Sequence, residues 1–240
     1  MTTLFLSDLH LADAQPGITR RFLDFLRGPA REAQAIYILG DLFEYWAGDD
    51  DLEETFVAGH CAALRELASA GVRIFFMAGN RDFLAGDGFA RAAGLSLLPE
   101  PAVIELDGVP TLLLHGDTLC TDDAAYQAFR SEVRSPDWKQ AFLSLPLAQR
   151  KARIEALRRE SEAQKQSKPW DIMDVNPDAV SRTLTFHRCQ RLIHGHTHRP
   201  ACHRLEIDGR PCERWVLPDW YESGGYLACN LEGCRLTTLA

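Results

Sequence analysis

Five short apolar runs punctuate this chain, and each one stops at residues that bind hard or borderline metal ions. Thr3-Leu4-Phe5-Leu6 runs into Ser7-Asp8-Leu9-His10, and Ala35-Ile36-Tyr37-Ile38-Leu39 into Gly40-Asp41. Arg73-Ile74-Phe75-Phe76-Met77 leads to Gly79-Asn80-Arg81-Asp82, and Thr111-Leu112-Leu113-Leu114 to His115-Gly116-Asp117. Arg191-Leu192-Ile193 leads to His194-Gly195-His196-Thr197-His198. Unbroken apolar runs of this length fit strands buried on both faces. Helical periodicity lies between them. Residues 18–27 put Ile18, Phe22, Phe25 and Leu26 on one face; residues 54–69 do the same with Phe56, Val57, Leu64, Leu67 and Ala68, and Gly71 closes that helix. Strand–helix alternation predicts an α/β layered fold. Past Gly209, Arg214-Trp215-Val216-Leu217 and Gly225-Tyr226-Leu227-Ala228 read as further strand cores.

Ligands of open α/β sheets gather at the carboxyl ends of strands. Alternate residues of an extended segment point the same way, so Asp8 and His10 can reach one ion, and His196 and His198 a common site. Asp8, His10, Asp41, Asn80, His115, His196 and His198 are more donors than one ion needs. Carboxylate, amide and imidazole together suit Mn²⁺, Fe²⁺ or Zn²⁺. A bridging carboxylate, with Asp41 the natural candidate, can hold two ions roughly 3.5–4 Å apart, lowering the pKa of a bound water and clamping a phosphoryl group. Arg81 can neutralise charge on the equatorial oxygens. Alone, an Asp-x-His is weak, Gly-Asn-Arg-Asp is compatible with a polar turn, and His115 with a satisfied core histidine; five such motifs, each after a strand, are not explained that way. His60, His187 and His203 lack this context and read as structural, and His194 as a support to the site.

Residues 124–172 interrupt the alternation and read as helices over Ala124–Arg134, Trp138–Leu145 and Leu147–Lys165. Residues 130–168 hold ten Lys or Arg against five Asp or Glu, in a chain whose formal net charge is −8. The bland reading is a solvated insertion; the functional one is a lid, with an apolar side (Trp138, Phe142, Leu143, Leu145) and a basic side (Arg153, Arg158, Arg159, Lys165, Lys168). The acidic balance elsewhere argues against a nucleic-acid partner. No stretch approaches the roughly 18 apolar residues of a membrane span, and the first residues show no basic region of a signal peptide, so a cytoplasmic location is expected. Seven cysteines, an odd count with no Cys-x-x-Cys pair, read as reduced thiols rather than zinc ligands.

The order Asp-x-His, Gly-Asp, Gly-Asn-Arg-Asp, His-Gly-Asp, Gly-His-Thr-His resembles the calcineurin-like metallophosphoesterase superfamily. The resemblance covers residues 4–200 and implies a two-sheet α/β/α sandwich, here one domain over 1–240 with the helical insertion at about 124–172. It also implies a division of ligands: Asp8, His10, Asp41 and His198 on one ion, and Asp41, Asn80, His115 and His196 on the other. A narrower resemblance is carried by Leu39-Gly40-Asp41-Leu42-Phe43-Glu44-Tyr45-Trp46 with Gly48-Asp49-Asp50, by Asn80-Arg81-Asp82-Phe83-Leu84, and by the stretch from His115 to Asp123. Ile172-Met173-Asp174-Val175-Asn176 and His194 to Pro200 complete it. These motifs are similar to lipid pyrophosphohydrolases within the superfamily. That implies a hydrolase of a lipid nucleotide-sugar substrate, two Mn²⁺ per chain, and a peripheral position on the cytoplasmic face of an inner membrane. It further implies catalytic roles for Asp41, Asn80, Arg81, His115 and His196, and substrate contacts at Asn80, Arg81, Asp123, Ser161, Lys165, Lys168 and His196; Lys165 departs from the small polar residue usual there. Nothing is carried over past Pro200. Competing readings are a soluble nucleotide phosphodiesterase or dinucleoside polyphosphate hydrolase with the same metal core, a nuclease, and a catalytically inactive scaffold.

Overall fold

The computed structural model describes residues 2–167, 172 and 174–239, without the side chains of residues 160 and 162–167. The apolar runs form strands because both of their faces are covered. β1 (Thr3–Leu6), β2 (Ala35–Leu39) and β3 (Arg73–Met77) pair in parallel. Their alternate residues part company. Leu4, Leu6, Ile36, Ile38, Ile74 and Phe76 pack outward under helices, while Phe5, Leu39 and Met77 meet a second sheet. The period of two is thus present but hidden, since both sides of the pleat are apolar.

The first sheet continues with β4 (Ser96–Leu98) at one edge and with β10 (Gly225–Asn230) and β11 (Gly233–Thr238) at the other, in the order β11-β10-β1-β2-β3-β4. The second contains β5 (Ala102–Leu106), β6 (Val109–Leu113), β7 (Arg191–His194), β8 (Ala201–Ile207) and β9 (Arg210–Val216), in the order β5-β6-β7-β9-β8. Helices α1 (Pro16–Arg27), α2 (Thr55–Ser69) and α3 (Asp87–Ala93) lie on the outer face of the first sheet. The insertion forms α4 (Ala124–Val133), α5 (Pro136–Leu143) and α6 (Leu147–Ser167). Helix α7 (Pro177–His187) covers the second sheet, with Ala179, Val180 and Leu184 packed against Leu112, Leu114 and Leu192. The result is a two-sheet α/β sandwich between helical layers.

Elements outside the five runs carried their own signals. Two Asp-Gly pairs, Asp107-Gly108 (φ 52° and 79°) and Asp208-Gly209 (φ 52° and 72°), turn the β5–β6 and β8–β9 hairpins; this is the two-residue turn that matches strand twist. Helix α5 begins earlier than its apolar stripe because Pro136 occupies its first turn and the Ser135 hydroxyl accepts from Trp138 N–H at 3.3 Å. One sequence expectation is corrected. Cys229 and Cys234 form a disulfide, because the β10–β11 register sets them directly opposite each other; Cys61, Cys189, Cys202 and Cys212 are free thiols.

Candidate metal centre

β1, β2 and β3 run parallel to one another in the first sheet, and β6, β7 and β9 do so in the second, so within each set the carboxyl ends open at one rim. The loops there are stitched together: Asp8 N–H donates to Gly40 O (3.1 Å), His10 N–H to Asp41 O (3.0 Å) and Gly195 N–H to His115 O (2.8 Å). Asp8 and His10 do not follow an extended strand. Asp8, His10, Asp41, His196 and His198 all have φ between 52° and 68°, the left-handed region that Asp and His tolerate better than most residues. Each costs of order 1 kcal/mol or more and persists because the surroundings over-determine it. That conformation, not strand alternation, aims these side chains inward.

Ligand atoms of Asp8, His10 and His198 lie within 4.8 Å of one another, as do those of Asp8, Asp41 and His115. Asp41 stands between two histidines. Its Oδ2 is 3.8 Å from His10 Nε2 and its Oδ1 is 3.7 Å from His115 Nε2; Oδ1 also accepts the Arg81 N–H at 2.8 Å. Asp8 Oδ1 is 3.4 Å from His198 Nε2, and Asp8 Oδ2 accepts from Ser7 Oγ and the His196 N–H at 2.6 and 2.9 Å. Asn80 Oδ1 lies 2.9 Å from both His115 Nε2 and His196 Nδ1. Gly79 and Gly195 leave room for this: a Cβ on Gly79 would come within 2.2 Å of Asp41 Oδ1, and one on Gly195 within 2.3 Å of Asp8 Oδ2.

The donor set fits divalent ions. Asp8 and Asp41 are buried carboxylates close together, an arrangement that is unfavourable without cations between them. His10 Nδ1 and Nε2 are buried without a hydrogen-bond partner among the described residues. Burial works against ionisation of Asp8, yet the hydrogen bond and charge of His198, with His115 and His10, hold its carboxyl well below the usual range. Burial disfavours a charged His115, but Asp41, Asp117, Asp8 and Glu100 together push it up to about 9. His196 goes the other way, to about 4, through burial and the neighbouring His115.

Further residues hold this rim in place. Asp82, fully buried, accepts from four backbone N–H groups: Gly79 (2.8 Å), Asp41 (3.3 Å), Leu42 (2.8 Å) and Phe43 (3.4 Å). It ties the β2 and β3 loops together. Asp117 accepts from Tyr126 Oη at 2.8 Å and Arg130 Nε at 2.7 Å, and Arg134 donates to Gly79 O at 2.9 Å, which anchors α4. His194 donates to Gly195 O at 2.8 Å and lies 3.0 Å from Arg214 Nη1; burial and Arg214 push it down to about 3.

The carboxyl end of β9 contributes residues that sequence reasoning passed over. Trp220 N–H donates to Asp8 O at 3.2 Å. Tyr221 stacks on His10 with ring centroids 5.2 Å apart, and Asp219 Oδ2 is 3.9 Å from His198 Nδ1. The signal was available: Leu217-Pro218-Asp219-Trp220-Tyr221 is also an acid-bearing turn after an apolar strand.

Beside the rim, a cleft of about 110 Å³ lies between it and the insertion. Asn80, Arg81 and Glu44 are among its lining residues, with Phe83, Phe129, Trp138, Phe142, Ile154, Leu157 and Ser161. Leu143 is exposed rather than turned into the cleft. Asp123 caps α4, accepting from Tyr126 N–H at 3.1 Å. The Lys165 side chain and Lys168 fall outside the described residues. Much of the insertion's positive charge pins it to the body. Arg150 is buried against Ala47 O and Asp50, Lys151 pairs with Asp51, and Arg158 with Glu44.

Two packed sheets with Asp, Asn and His converging at their shared rim define a metal-dependent phosphoesterase architecture, and the chain belongs to the calcineurin-like phosphoesterase family, whose model matches residues 1–200. More narrowly, it is 57% identical over 233 residues to the UDP-2,3-diacylglucosamine hydrolase of Aromatoleum aromaticum, covering 97% of this chain and 95% of that one. It is 50% identical over 247 residues to the protein of the same name from Xanthomonas oryzae pv. oryzae, covering all of both chains. Among solved structures, an archaeal phosphodiesterase aligns over 100% of both chains at 12% identity with a TM-score of 0.49.

Proposed function

We propose that this chain hydrolyses the pyrophosphate bond of UDP-2,3-diacylglucosamine, a step of lipid A biosynthesis. Water attacks the α-phosphorus, the bond from that phosphorus to the bridging oxygen breaks, and UMP and 2,3-diacylglucosamine 1-phosphate leave. The observation that carries the substrate is the apolar cleft, whose walls share Asn80 and Arg81 with the metal centre. A phosphate ester at the rim thereby has a place for a long apolar chain alongside. Each CH₂ sheltered there contributes about 0.8 kcal/mol.

Asp8, His10, Asp41 and His198 hold one divalent ion, and Asp41, Asn80, His115 and His196 the other, with Asp41 bridging. Such ions, Mn²⁺ in this reading, supply a water of lowered pKa and a clamp on phosphoryl oxygens. The chain's own groups do the rest. Arg81 places a cation against the charge that develops on the phosphoryl oxygens. His115 Nδ1 donates to Leu39 O at 2.9 Å, which orients that imidazole, and Asp82 keeps the Asp41 and Asn80 loops at one spacing. Asp123, Ser161, Lys165, Lys168 and His196 contact substrate, and residues 124–172 serve as a lid on a single domain.

Among the described residues no helix is long and apolar enough to cross a membrane; the reading is a peripheral enzyme on the cytoplasmic face of the inner membrane. The test is hydrolysis by the Mn²⁺-loaded protein of UDP-2,3-diacylglucosamine, bis(p-nitrophenyl) phosphate and diadenosine tetraphosphate side by side. A strong preference for the lipid substrate supports the assignment. Preference for either soluble ester overturns it in favour of a nucleotide phosphodiesterase.

A further inference from the structure

Glu44 lies three residues past Asp41 and touches three cationic or titratable side chains from three separate parts of the chain. Its Oε2 is 3.0 Å from His10 Nδ1, the ring nitrogen turned away from Asp41. Both atoms are otherwise without a hydrogen-bond partner among the described residues. Its Oε1 accepts from Arg158 Nη2 on α6 and is 3.7 Å from Arg81 Nη1. The carboxylate is mostly buried, whereas Arg158 is partly exposed at the edge of the cleft. Arg158 in turn lies over the Tyr45 ring, 6.0 Å from its centroid. One carboxylate oxygen therefore faces the metal centre and the other faces the insertion.

We infer that Glu44 is a positioning residue that ties the lid to the metal centre, orienting His10 with one oxygen and holding Arg81 and Arg158 with the other. The outer nitrogen of a metal-binding histidine commonly faces a carboxylate, which fixes the ring and raises its basicity. Here that carboxylate is itself held by the lid helix, so movement of α6 reaches His10 without touching it. The same contact keeps two guanidinium groups beside the phosphate position before substrate arrives, lowering the reorganisation needed when it binds.

This role rests on the proposed reading of His10 as an ion ligand. It is tested with the full chain, titrating Mn²⁺ by calorimetry without substrate. Glu44→Gln is expected to weaken one of two ions by roughly 10–100-fold, as loss of an outer carboxylate does, and to leave the other within about twofold. Arg158→Gln changes no ligand. Removing a cation would by its field alone tighten Mn²⁺ binding; loss of its hold on Glu44 weakens it, by roughly two- to fivefold, the equivalent of a partly exposed ion pair. Unchanged or tighter binding in Arg158→Gln overturns the inference, and so does a folded Glu44→Gln that binds both ions like the parent. If Glu44→Gln does not fold, Arg158→Gln decides alone. A protein showing these shifts but inactive on UDP-2,3-diacylglucosamine refutes the proposed substrate and upholds Glu44. An active protein whose Mn²⁺ binding ignores both substitutions refutes Glu44 and upholds the substrate.

Discussion

Asp41→Ala removes a carboxylate that faces both His10 and His115, at 3.8 and 3.7 Å. If Asp41 bridges two ions, both sites lose a ligand at once. Metal-borne charge stabilisation amounts to several kcal/mol; a loss of about 4 kcal/mol, at about 1.36 kcal/mol per decade, lowers turnover roughly a thousandfold. Stability responds differently. The Arg81 N–H loses its acceptor at 2.8 Å, which costs about 1–3 kcal/mol when such a group stays dry. Against this, burial and the charge of Asp41 hold the Asp82 carboxyl up at about 6, and that repulsion is relieved. The fold should therefore survive. Asp41→Asn keeps an acceptor for Arg81 and should lose as much activity with less loss of stability. The assay pairs turnover of UDP-2,3-diacylglucosamine with metal content after Mn²⁺ loading. Retention of more than about a tenth of parental turnover, a barrier change under about 1.4 kcal/mol, or of two ions per chain, would refute the bridging role.

Asp82→Ala leaves four loop N–H groups without their acceptor; we expect a loss of about 3–5 kcal/mol and a fall in Tm of about 10 °C, and a Tm within a degree or two of the parent would contradict the stitching role. His115, raised to about 9 from 6.5, keeps its proton at neutral pH without metal. Its folded-state pKa lies above the unfolded value, so it stabilises the metal-free protein fully below about 6.5 and progressively less as pH rises through about 9. Metal must displace that proton, so Mn²⁺ affinity should climb by up to about tenfold per pH unit from 7 to 9, with proton release visible as buffer-dependent calorimetric heat; a flat affinity over that range would refute it. Leu157→Asn, at the partly exposed wall of the cleft, should raise KM for the diacyl substrate about 5–30-fold through lost apolar burial of about 1–2 kcal/mol while sparing kcat; an unchanged KM would remove that wall from the acyl site.

The layered α/β class, the strands that bear the motifs and the seven clustered donor residues were legible in the sequence, because these depend on local features: apolar runs, small residues after them, and side chains of fixed chemistry. The helices of the insertion were equally legible from their spacing, Trp138 and Phe142 included. Tertiary structure decided what depends on neighbours distant in the chain. Left-handed φ at Asp8, His10, Asp41, His196 and His198 is imposed by loops bonded to one another across the rim, so strand alternation predicted the convergence of Asp8 and His10 for the wrong physical reason. Charge on the insertion looked free in one dimension, yet Arg150, Lys151 and Arg158 are bound to acids of the loop after β2. Reduced thiols followed from cysteine count, while a disulfide follows from the register that brings Cys229 and Cys234 face to face. The sixth strand end, with Asp219 and Tyr221, joined the other five because β9 lies parallel to β7. Strand pairing is a non-local choice, fixed by which apolar faces must be buried together, and no single stretch of sequence contains it.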